Sequence, residues 1–164
     1  MKVYTTDKIR NVALLGHGGS GKTSLAESMA FLAGKISRPG KVADGNTISD
    51  YDKQEVKRQI SIQTSVLPIE WGENKINILD TPGSLDFIGE TEEALSAADA
   101  AIIVVSGKNG IESGTKRAWE LCDKHHRYSS DRTGLQSARH YCCNLFLQEL
   151  QLVVLQIAEQ HYPV

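Results

Sequence analysis

The stretch that best indicates the fold of this chain of 164 residues is Gly16-His17-Gly18-Gly19-Ser20-Gly21-Lys22-Thr23. It fits the pattern G-x-x-x-x-G-K-[ST] at every defined position. Glycines in this pattern let backbone N–H groups turn inward around phosphate oxygens, and the helix that follows adds its positive N-terminus. The lysine is expected to reach the β- and γ-phosphates of a nucleotide, and the threonine hydroxyl to bind Mg²⁺.

The residues on both sides of this segment predict a strand and a helix. Residues 11–16 (NVALLG) form a short apolar run that ends in glycine, as a buried strand does. Residues 23–33 have apolar side chains at helical spacing, and Gly34 follows where a helix C-cap favours glycine. Strand, glycine-rich turn and helix together favour phosphate binding over the alternative of a glycine-rich turn without a ligand.

Strands and helices continue to alternate as far as residue 126. The pattern predicts a long polar loop at 37–59, strands at 60–70, 75–80 and 100–105, and helices at 85–98 and 115–126. Pro68 favours an edge position for the strand that contains it. This order predicts an α/β fold with a mostly parallel sheet, in which ligands bind at the carboxyl ends of strands. Together with the glycine-rich segment it predicts a three-layer fold of the P-loop NTPase type, incomplete at the C-terminus.

Two further segments carry residues suited to a phosphate and a cation. Asp80-Thr81-Pro82-Gly83 ends the strand predicted at 75–80. An Asp at a strand end can hold Mg²⁺ through water, and the Gly83 N–H can approach a γ-phosphate because no side chain blocks it. The Ser61 hydroxyl can complete a Mg²⁺ shell from a switch loop while a γ-phosphate is present. Taken alone, Ser61 is an ordinary strand residue.

With these motifs in order, residues 9–126 resemble the GTP-binding domain of translational GTPases, in particular elongation factor G and its relatives. The matching features are Asp44-Gly45, Asp50, Glu55, Arg58 and Ile60-Ser61-Ile62 in the first switch, Asp80-Thr81-Pro82-Gly83 and Asp86-Phe87 in the second, and then Val104-Val105-Ser106, Gly110-Ile111-Glu112 and Trp119-Glu120. The resemblance implies binding of GTP or GDP with Mg²⁺, and GTP hydrolysis stimulated on the ribosome.

Motif and resemblance together predict three groups of site residues. The nucleotide-binding residues are Gly16, His17, Gly18, Gly19, Ser20, Gly21, Lys22, Thr23, Ser24, Asp80 and Gly83. The metal ligands are Thr23, Ser61 and, through water, Asp80. The catalytic positions are Lys22, Gly83 and Ser84, the last at the position of the family's histidine.

Four features depart from the family's pattern. Ser61 stands where Thr is usual, which keeps the hydroxyl, and Gly19 stands where Asp is usual. Ser84 stands where a histidine usually orients the attacking water, and loss of such a group typically lowers the rate by about 10²–10⁴. Some branches that resemble elongation factor G also lack this histidine. No Asn-Lys-x-Asp occurs in the chain, so guanine specificity is implied by the resemblance alone.

The composition changes sharply at Arg127. Thirteen of the 14 Gly and all 11 Lys precede it, whereas the 38 residues from it onward hold five of the eight Gln. We therefore divide the chain into residues 1–126, the N-terminal part of a GTP-binding domain, and residues 127–164, an atypical tail. Residues 144–161 have the apolar spacing of an amphipathic helix. The tail is interpreted as the product of a truncated or frame-shifted coding sequence, with a docking helix as the alternative.

Charge and hydropathy exclude several classes of protein. Lys and Arg number 18 against 20 Asp and Glu, so a formal charge of -2 provides no general field for nucleic acid or an anionic membrane. The longest apolar run, 100–105, is much shorter than the roughly 18–20 residues of a membrane span. Residues 1–10 lack the apolar region of a secretory signal.

The cysteines favour a reduced, cytoplasmic protein. Cys122, Cys142 and Cys143 form no disulfide framework, and two adjacent cysteines near His140 and His161 lack zinc-ligand spacing. No zinc is therefore expected.

The leading hypothesis is a Mg²⁺-dependent translational GTPase similar to elongation factor G, present as a truncated domain that hydrolyses GTP to GDP and phosphate. One alternative is a nucleotide-binding regulator without catalysis, and another is a fragment without function.

Overall fold

A computed structural model describes residues 2–130, with side chains for residues 2–125. The helix predicted at 144–161 and the cysteines at 142 and 143 lie outside the described residues. Residues 1–122 form one compact unit, and a second unit begins at Asp123. The sheet and the candidate site all belong to the first unit.

The described residues contain four strands, four α-helices and three short 3-10 helices. The strands are β1 (Ile9–Leu15), β2 (Ser65–Trp71), β3 (Asn74–Asp80) and β4 (Ala100–Ile103). The α-helices are α1 (Lys22–Leu32), α2 (Lys53–Arg58), α3 (Ile88–Ala97) and α4 (Ser113–Ser130). The 3-10 helices are Thr6–Lys8, Val42–Asp44 and Leu85–Phe87.

The four described strands form a single sheet in the order β2-β3-β1-β4. Strand β1 is parallel to both β3 and β4, whereas β2 is antiparallel to β3 at the edge. The edge position predicted from Pro68 is therefore confirmed, and it suits a residue without an N–H donor. Leu14 pairs with Asp80, so the glycine-rich segment after β1 and the turn after β3 leave the sheet side by side.

Helices cover both faces of this sheet. On one face Ala13 and Leu15 of β1 pack with α3 and α4, and the buried cluster is Ala13, Leu15, Leu79, Ala94, Leu95, Ala118 and Leu121. The alternate residues of β1, Val12 and Leu14, point to the other face. There α1, with Met29 fully buried, lies against β2 and β3. These three layers confirm the predicted α/β fold with a mostly parallel sheet.

The strand predicted at 60–70 begins later, at Ser65, because the backbone N–H groups that precede it donate hydrogen bonds to carboxylates instead of to a neighbouring strand. The N–H groups of Ile62 and Gln63 donate to the Glu55 carboxylate at 2.9 and 3.1 Å. The N–H of Thr64 donates to Glu90 at 2.8 Å. Residues 60–64 thus lie outside the ladder, and the buried face of β2 is Ser65, Leu67 and Ile69.

The predicted loop at 37–59 contains the short helix α2, which the sequence prediction missed. Asp52 accepts a hydrogen bond from the Gln54 N–H at 2.7 Å, and the Glu55 side chain accepts one from the Asp52 N–H at 3.2 Å. This reciprocal arrangement is a capping box. The spacing of Asp52 and Glu55 was the available signal for this helix.

Glu55→Ala is expected to loosen the segment that follows α2. Glu55 is buried and accepts hydrogen bonds from three part-buried backbone amides, and a hydrogen bond to a charged group contributes about 1.5–3 kcal/mol. Hydrogen exchange at residues 62 and 63 should therefore become about 10–100 times faster. Glu93→Ala, at an exposed position of α3, is the control and should leave those rates unchanged. Equal rates in both variants would contradict the anchoring role.

Candidate functional site

The glycine-rich segment, which we call the P-loop (residues 16–23), joins β1 to α1 in a conformation that requires glycine. Gly16, Gly19 and Gly21 have φ angles of 140°, 77° and 101°, values that residues with a Cβ rarely adopt. A Cβ at Gly16 would also collide with the Val104 carbonyl oxygen. The sequence pattern and the backbone conformation therefore agree at Gly16 and Gly21, whereas Gly19 lies at a position that the pattern leaves open.

Lys22 is buried where the P-loop enters α1. Its ammonium donates hydrogen bonds to the carbonyl oxygens of Gly16 and His17 at 3.2 and 3.0 Å. Burial lowers the pKa of Lys22, and the nearby carboxylates of Asp80 and Asp50 oppose that change. The side chain is thus held over the P-loop by two carbonyl groups and faces two acidic residues.

Two predicted metal ligands from distant parts of the sequence lie next to each other. The hydroxyl oxygens of Thr23, on α1, and Ser61, after α2, are 3.4 Å apart. Asp80, at the end of β3, is 1% exposed, and neither of its carboxylate oxygens has a well-aligned hydrogen bond. The fold therefore gathers two hydroxyls and a buried carboxylate near the start of α1.

Asp50 is a fourth oxygen-bearing residue of this cluster. The sequence analysis placed it in the first switch without a role in the site, because no local pattern shows where its side chain points. It lines a pocket together with Lys22, Thr23 and Ser61. It is 5% exposed, and one of its carboxylate oxygens has no hydrogen-bond partner. Burial raises the pKa of Asp50, although the Ser61 hydroxyl acts in the opposite direction.

The carboxyl group of Asp80 also has a raised pKa. Burial raises its pKa to about 6, and the charge of Asp50 adds to the effect. The hydroxyls of Thr23 and Ser49 oppose the change, although they lie outside hydrogen-bonding alignment with it. An ionised carboxylate buried in this way is unstable unless a cation or strong donors compensate it.

The oxygen donors fit a magnesium ion. Mg²⁺ prefers carboxylate, hydroxyl and phosphate oxygens, and it is usually bound by few protein ligands together with phosphates and water. Among residues 2–125, no three His, Cys, Asp or Glu side chains form a metal-binding group. Thr23, Ser61 and, through water, Asp80 would supply part of the ligands of a Mg²⁺ ion, and phosphate oxygens of a nucleotide and water would supply the rest.

Asp80→Asn is expected to stabilise the metal-free chain more at about pH 7 than at about pH 5. The pKa of Asp80 is 3.8 in an unperturbed chain and about 6 in the fold. The folded state therefore binds more protons between these values, and the contribution of Asp80 to the free energy of unfolding falls as the pH rises through them. Urea denaturation in EDTA at both pH values measures the difference between the variant and the natural chain.

Asp44→Asn is the control for this measurement because Asp44 is exposed. Its effect on the free energy of unfolding should be small. A stabilisation by Asp80→Asn that is larger at about pH 5 would contradict a raised pKa.

The turn after β3 meets the P-loop at two glycines. A Cβ at Gly83 would collide with the Lys22 ammonium nitrogen and lie 2.6 Å from the Gly18 backbone nitrogen. Ser84, the next residue, caps the 3-10 helix Leu85–Phe87. Its hydroxyl donates to the Asp86 carboxylate at 3.2 Å and lies 3.4 Å from the Asp86 nitrogen.

One pocket collects most of the predicted site. The predicted residues that line it are Gly18, Gly19, Gly21, Lys22, Thr23, Ser24, Ser61, Gly83 and Ser84. Asp50 also lines it, as do Val42, Gln59 and Ile60, none of which the sequence analysis assigned to the site. Those three residues come from the segment predicted as a loop and from its junction with the next strand.

Four predicted residues lie outside the lining of this pocket: Gly16, His17, Ser20 and Asp80. Asp80 is buried at the end of β3. The imidazole of His17 accepts a hydrogen bond from the Gly114 N–H at 3.2 Å, and its other nitrogen is 3.7 Å from Glu112. The His17 side chain therefore contacts the start of α4, and its backbone carbonyl holds Lys22.

Comparison with known proteins identifies the family of this chain. Residues 7–127 match the family described as elongation factor Tu GTP binding domain. Mitochondrial ribosome-releasing factor 2 of Drosophila melanogaster is 43% identical over 120 residues, which cover 73% of this chain and 16% of that protein. The Drosophila grimshawi protein of the same name is 44% identical over 124 residues, which cover 76% and 17%.

A solved structure shows the same fold. The crystal structure of a protein from Thermus thermophilus superimposes with a TM-score of 0.69 at 41% identity, and the match covers 71% of this chain and 18% of that one. The chain spans about one sixth of the length of the two Drosophila relatives. In residues 2–130, no helix is long and apolar enough to cross a membrane.

The P-loop, the turn that begins at Asp80 and the family match over residues 7–127 lead to one conclusion. The chain belongs to the elongation factor Tu GTP-binding domain family and has the P-loop fold of a translational GTPase.

Proposed function

We propose that this chain binds GTP with Mg²⁺ and hydrolyses it to GDP and phosphate. The observation that carries the proposal is the convergence of the Lys22 ammonium, the Thr23 and Ser61 hydroxyls and the buried carboxylate of Asp50 at one pocket. The buried carboxylate of Asp80 lies behind this lining, where Thr23, Asp50 and Lys22 influence its charge. A cation and a triphosphate would together compensate the unpartnered carboxylate oxygens and the buried ammonium.

Each residue has a role in this proposal. Backbone N–H groups of the P-loop bind the phosphates, Lys22 neutralises the β- and γ-phosphates, and the Gly83 N–H donates to a γ-phosphate oxygen. Thr23 and Ser61 would hold Mg²⁺ directly, and Asp80 would hold it through water. When bound, Mg²⁺ neutralises charge on the β- and γ-phosphate oxygens.

The reaction moves a phosphoryl group to water. The water oxygen forms a bond to the γ-phosphorus, and the bond from that phosphorus to the bridging oxygen breaks, with its electron pair leaving on GDP. The water proton passes to the phosphate product. Since these groups mainly orient the reactants and stabilise charge, catalysis depends on the geometry of the pocket.

Three finer points of function belong to the proposal. Guanine as the base comes from the family alone, because the chain contains no Asn-Lys-x-Asp. The ribosome as a partner is supported by the name ribosome-releasing factor 2 of the Drosophila relatives. Those relatives are named mitochondrial, so the cytoplasmic location predicted from the cysteines remains a prediction.

A second candidate function is nucleotide binding without hydrolysis. The observation that favours it is the pairing of the Ser84 hydroxyl with Asp86, because this hydroxyl stands where the family's histidine orients water. A protein of this kind would exchange GTP and GDP and act on a partner through its switches alone.

Fluorescent GTP added to the purified chain tests both candidates. The GTPase proposal predicts binding that EDTA abolishes and Mg²⁺ restores, release of phosphate, and displacement by unlabelled GTP at lower concentrations than by ATP. Binding without release of phosphate supports the regulator. If neither GTP nor GDP binds when Mg²⁺ is present, both proposals fail. Poor solubility and a broad thermal transition would then support a fragment without function.

A further inference from the structure

Gln59 has an unusual backbone conformation at the end of α2. Its φ of 56° makes it the one non-glycine residue with positive φ in the part of the chain that the structure describes. A left-handed conformation costs a residue with a Cβ about 1–2 kcal/mol. Gln59 is the C-cap of α2, where a left-handed residue is common, so the backbone conformation alone does not indicate a site.

The Gln59 side chain stands at the phosphate pocket. Gln59 lines this pocket together with Ser61 and Ser84, and it is exposed. Its amide nitrogen donates to the Ala43 carbonyl oxygen at 3.2 Å. Because this is one exposed hydrogen bond to a short loop, little free energy is needed to turn the amide toward a bound nucleotide.

The other polar side chains that line the pocket are short or charged. Thr23, Ser61 and Asp50 are grouped at the proposed cation position, and Lys22 faces the phosphates in the proposed function. The Ser84 hydroxyl is paired with Asp86. Gln59 is the longest uncharged side chain of the lining that carries both a donor and an acceptor.

We propose that Gln59 orients the water that attacks the γ-phosphate, an inference that rests on the proposed GTPase function. The amide oxygen accepts a hydrogen bond from the water, and the amide N–H donates to a γ-phosphate oxygen. The glutamine takes no proton, because the water proton ends on the phosphate product. Glutamine performs this service in other GTPases, and here its position before Ser61 couples it to the first switch.

A structural role for Gln59 predicts different behaviour. If its amide only ties the chain to Ala43, loss of the side chain should loosen the loop around Val42, which also lines the pocket. Nucleotide affinity and hydrolysis would then fall together. If the amide orients water, affinity should remain and the rate of the chemical step should fall.

Gln59→Gly and Gln59→Asn separate these roles. Glycine removes the amide and relieves the strain, whereas Asn tolerates the left-handed conformation and keeps an amide that is one methylene shorter. Gln54→Ala, at an exposed position of α2, is the matched control. The measurements are the affinity for fluorescent GTP with Mg²⁺ and the single-turnover hydrolysis of GTP labelled at the γ-phosphate, with and without ribosomes.

The proposal expects both Gln59 variants to hydrolyse GTP about 10²-fold more slowly or worse, at unchanged affinity, while Gln54→Ala behaves like the natural chain. Hydrolysis within about twofold of the natural chain overturns the inference and leaves the GTPase proposal intact. Parallel loss of affinity and rate also overturns it. If the natural chain binds GTP but does not hydrolyse it, both the inference and the GTPase proposal fail, and nucleotide binding alone stands.

Discussion

Lys22→Ala is expected to lower the affinity of the chain for Mg²⁺·GTP by about 10²–10⁴-fold. The ammonium is buried and already donates two hydrogen bonds to carbonyls of the P-loop. In the complex it would donate charge-assisted bonds to phosphate oxygens, each worth about 1.5–3 kcal/mol. Loss of two such bonds corresponds to the stated change, since about 1.4 kcal/mol is a factor of ten.

Lys35→Ala is the matched control because Lys35 is exposed and outside the pocket. Its affinity for fluorescent GTP should equal that of the natural chain, so a general effect of removing one positive charge is measured separately. Urea denaturation of both variants checks that the fold is retained. An affinity of Lys22→Ala within about threefold of the control would contradict the phosphate site.

The P-loop and the turn after β3 could be predicted from sequence because their information is local. Gly16, Gly19 and Gly21 occupy the backbone conformations that only glycine adopts readily. Lys22 and Asp80 lie where a strand meets a helix or a turn. The parallel pairing of β1 with β3 brings these two ends together, as the predicted sheet required.

The first switch could not be predicted in the same way, because distant carboxylates determine its path. The alternation of Ile60, Ile62 and Thr64 predicts a strand, yet Glu55 and Glu90 bind the amides that a ladder would use. A buried carboxylate on α1 likewise binds backbone amides further upstream in the chain. Glu27 is 1% exposed and accepts hydrogen bonds from the N–H groups of Gly40 and Ile48 at 2.7 and 2.5 Å.

Asp50 and Gln59 lie at the pocket only because the first switch follows this course, so no pattern in the sequence around them indicates a site. The short helix α2 was the exception. Its capping box could be recognised from Asp52 and Glu55, and it would have placed Gln59 at a helix end, where a left-handed residue is common. Its amide would still have had no assigned partner.

Gly83→Ala is expected to disturb both the fold and the phosphate site. The added Cβ would collide with the Lys22 ammonium and lie 2.6 and 2.7 Å from the Gly18 nitrogen and Cα. Since Gly18 belongs to the P-loop, relief of the collision must move the loop or the turn. Overpacking of this kind typically costs about 1–3 kcal/mol of the free energy of unfolding.

Nucleotide binding should suffer as well, because the same displacement moves Lys22 and the Gly83 N–H away from the γ-phosphate position. We expect the affinity for Mg²⁺·GTP to fall about 10-fold or more, the effect of losing one hydrogen bond to a charged group. The loss for GDP should be smaller, since GDP has no γ-phosphate. Fluorescent GTP and GDP measure the two affinities on the same preparation.

Gly89→Ala is the matched control, because a Cβ at Gly89 meets no atom within 4 Å. Gly89 lies in α3, where alanine stabilises a helix by about 0.5–1 kcal/mol relative to glycine. The two substitutions add the same methyl group and should therefore shift the urea midpoint in opposite directions. If Gly83→Ala binds GTP as tightly as Gly89→Ala does, the turn after β3 is not part of the γ-phosphate site. An equal loss of GTP and GDP affinity would instead place the damage in the P-loop alone.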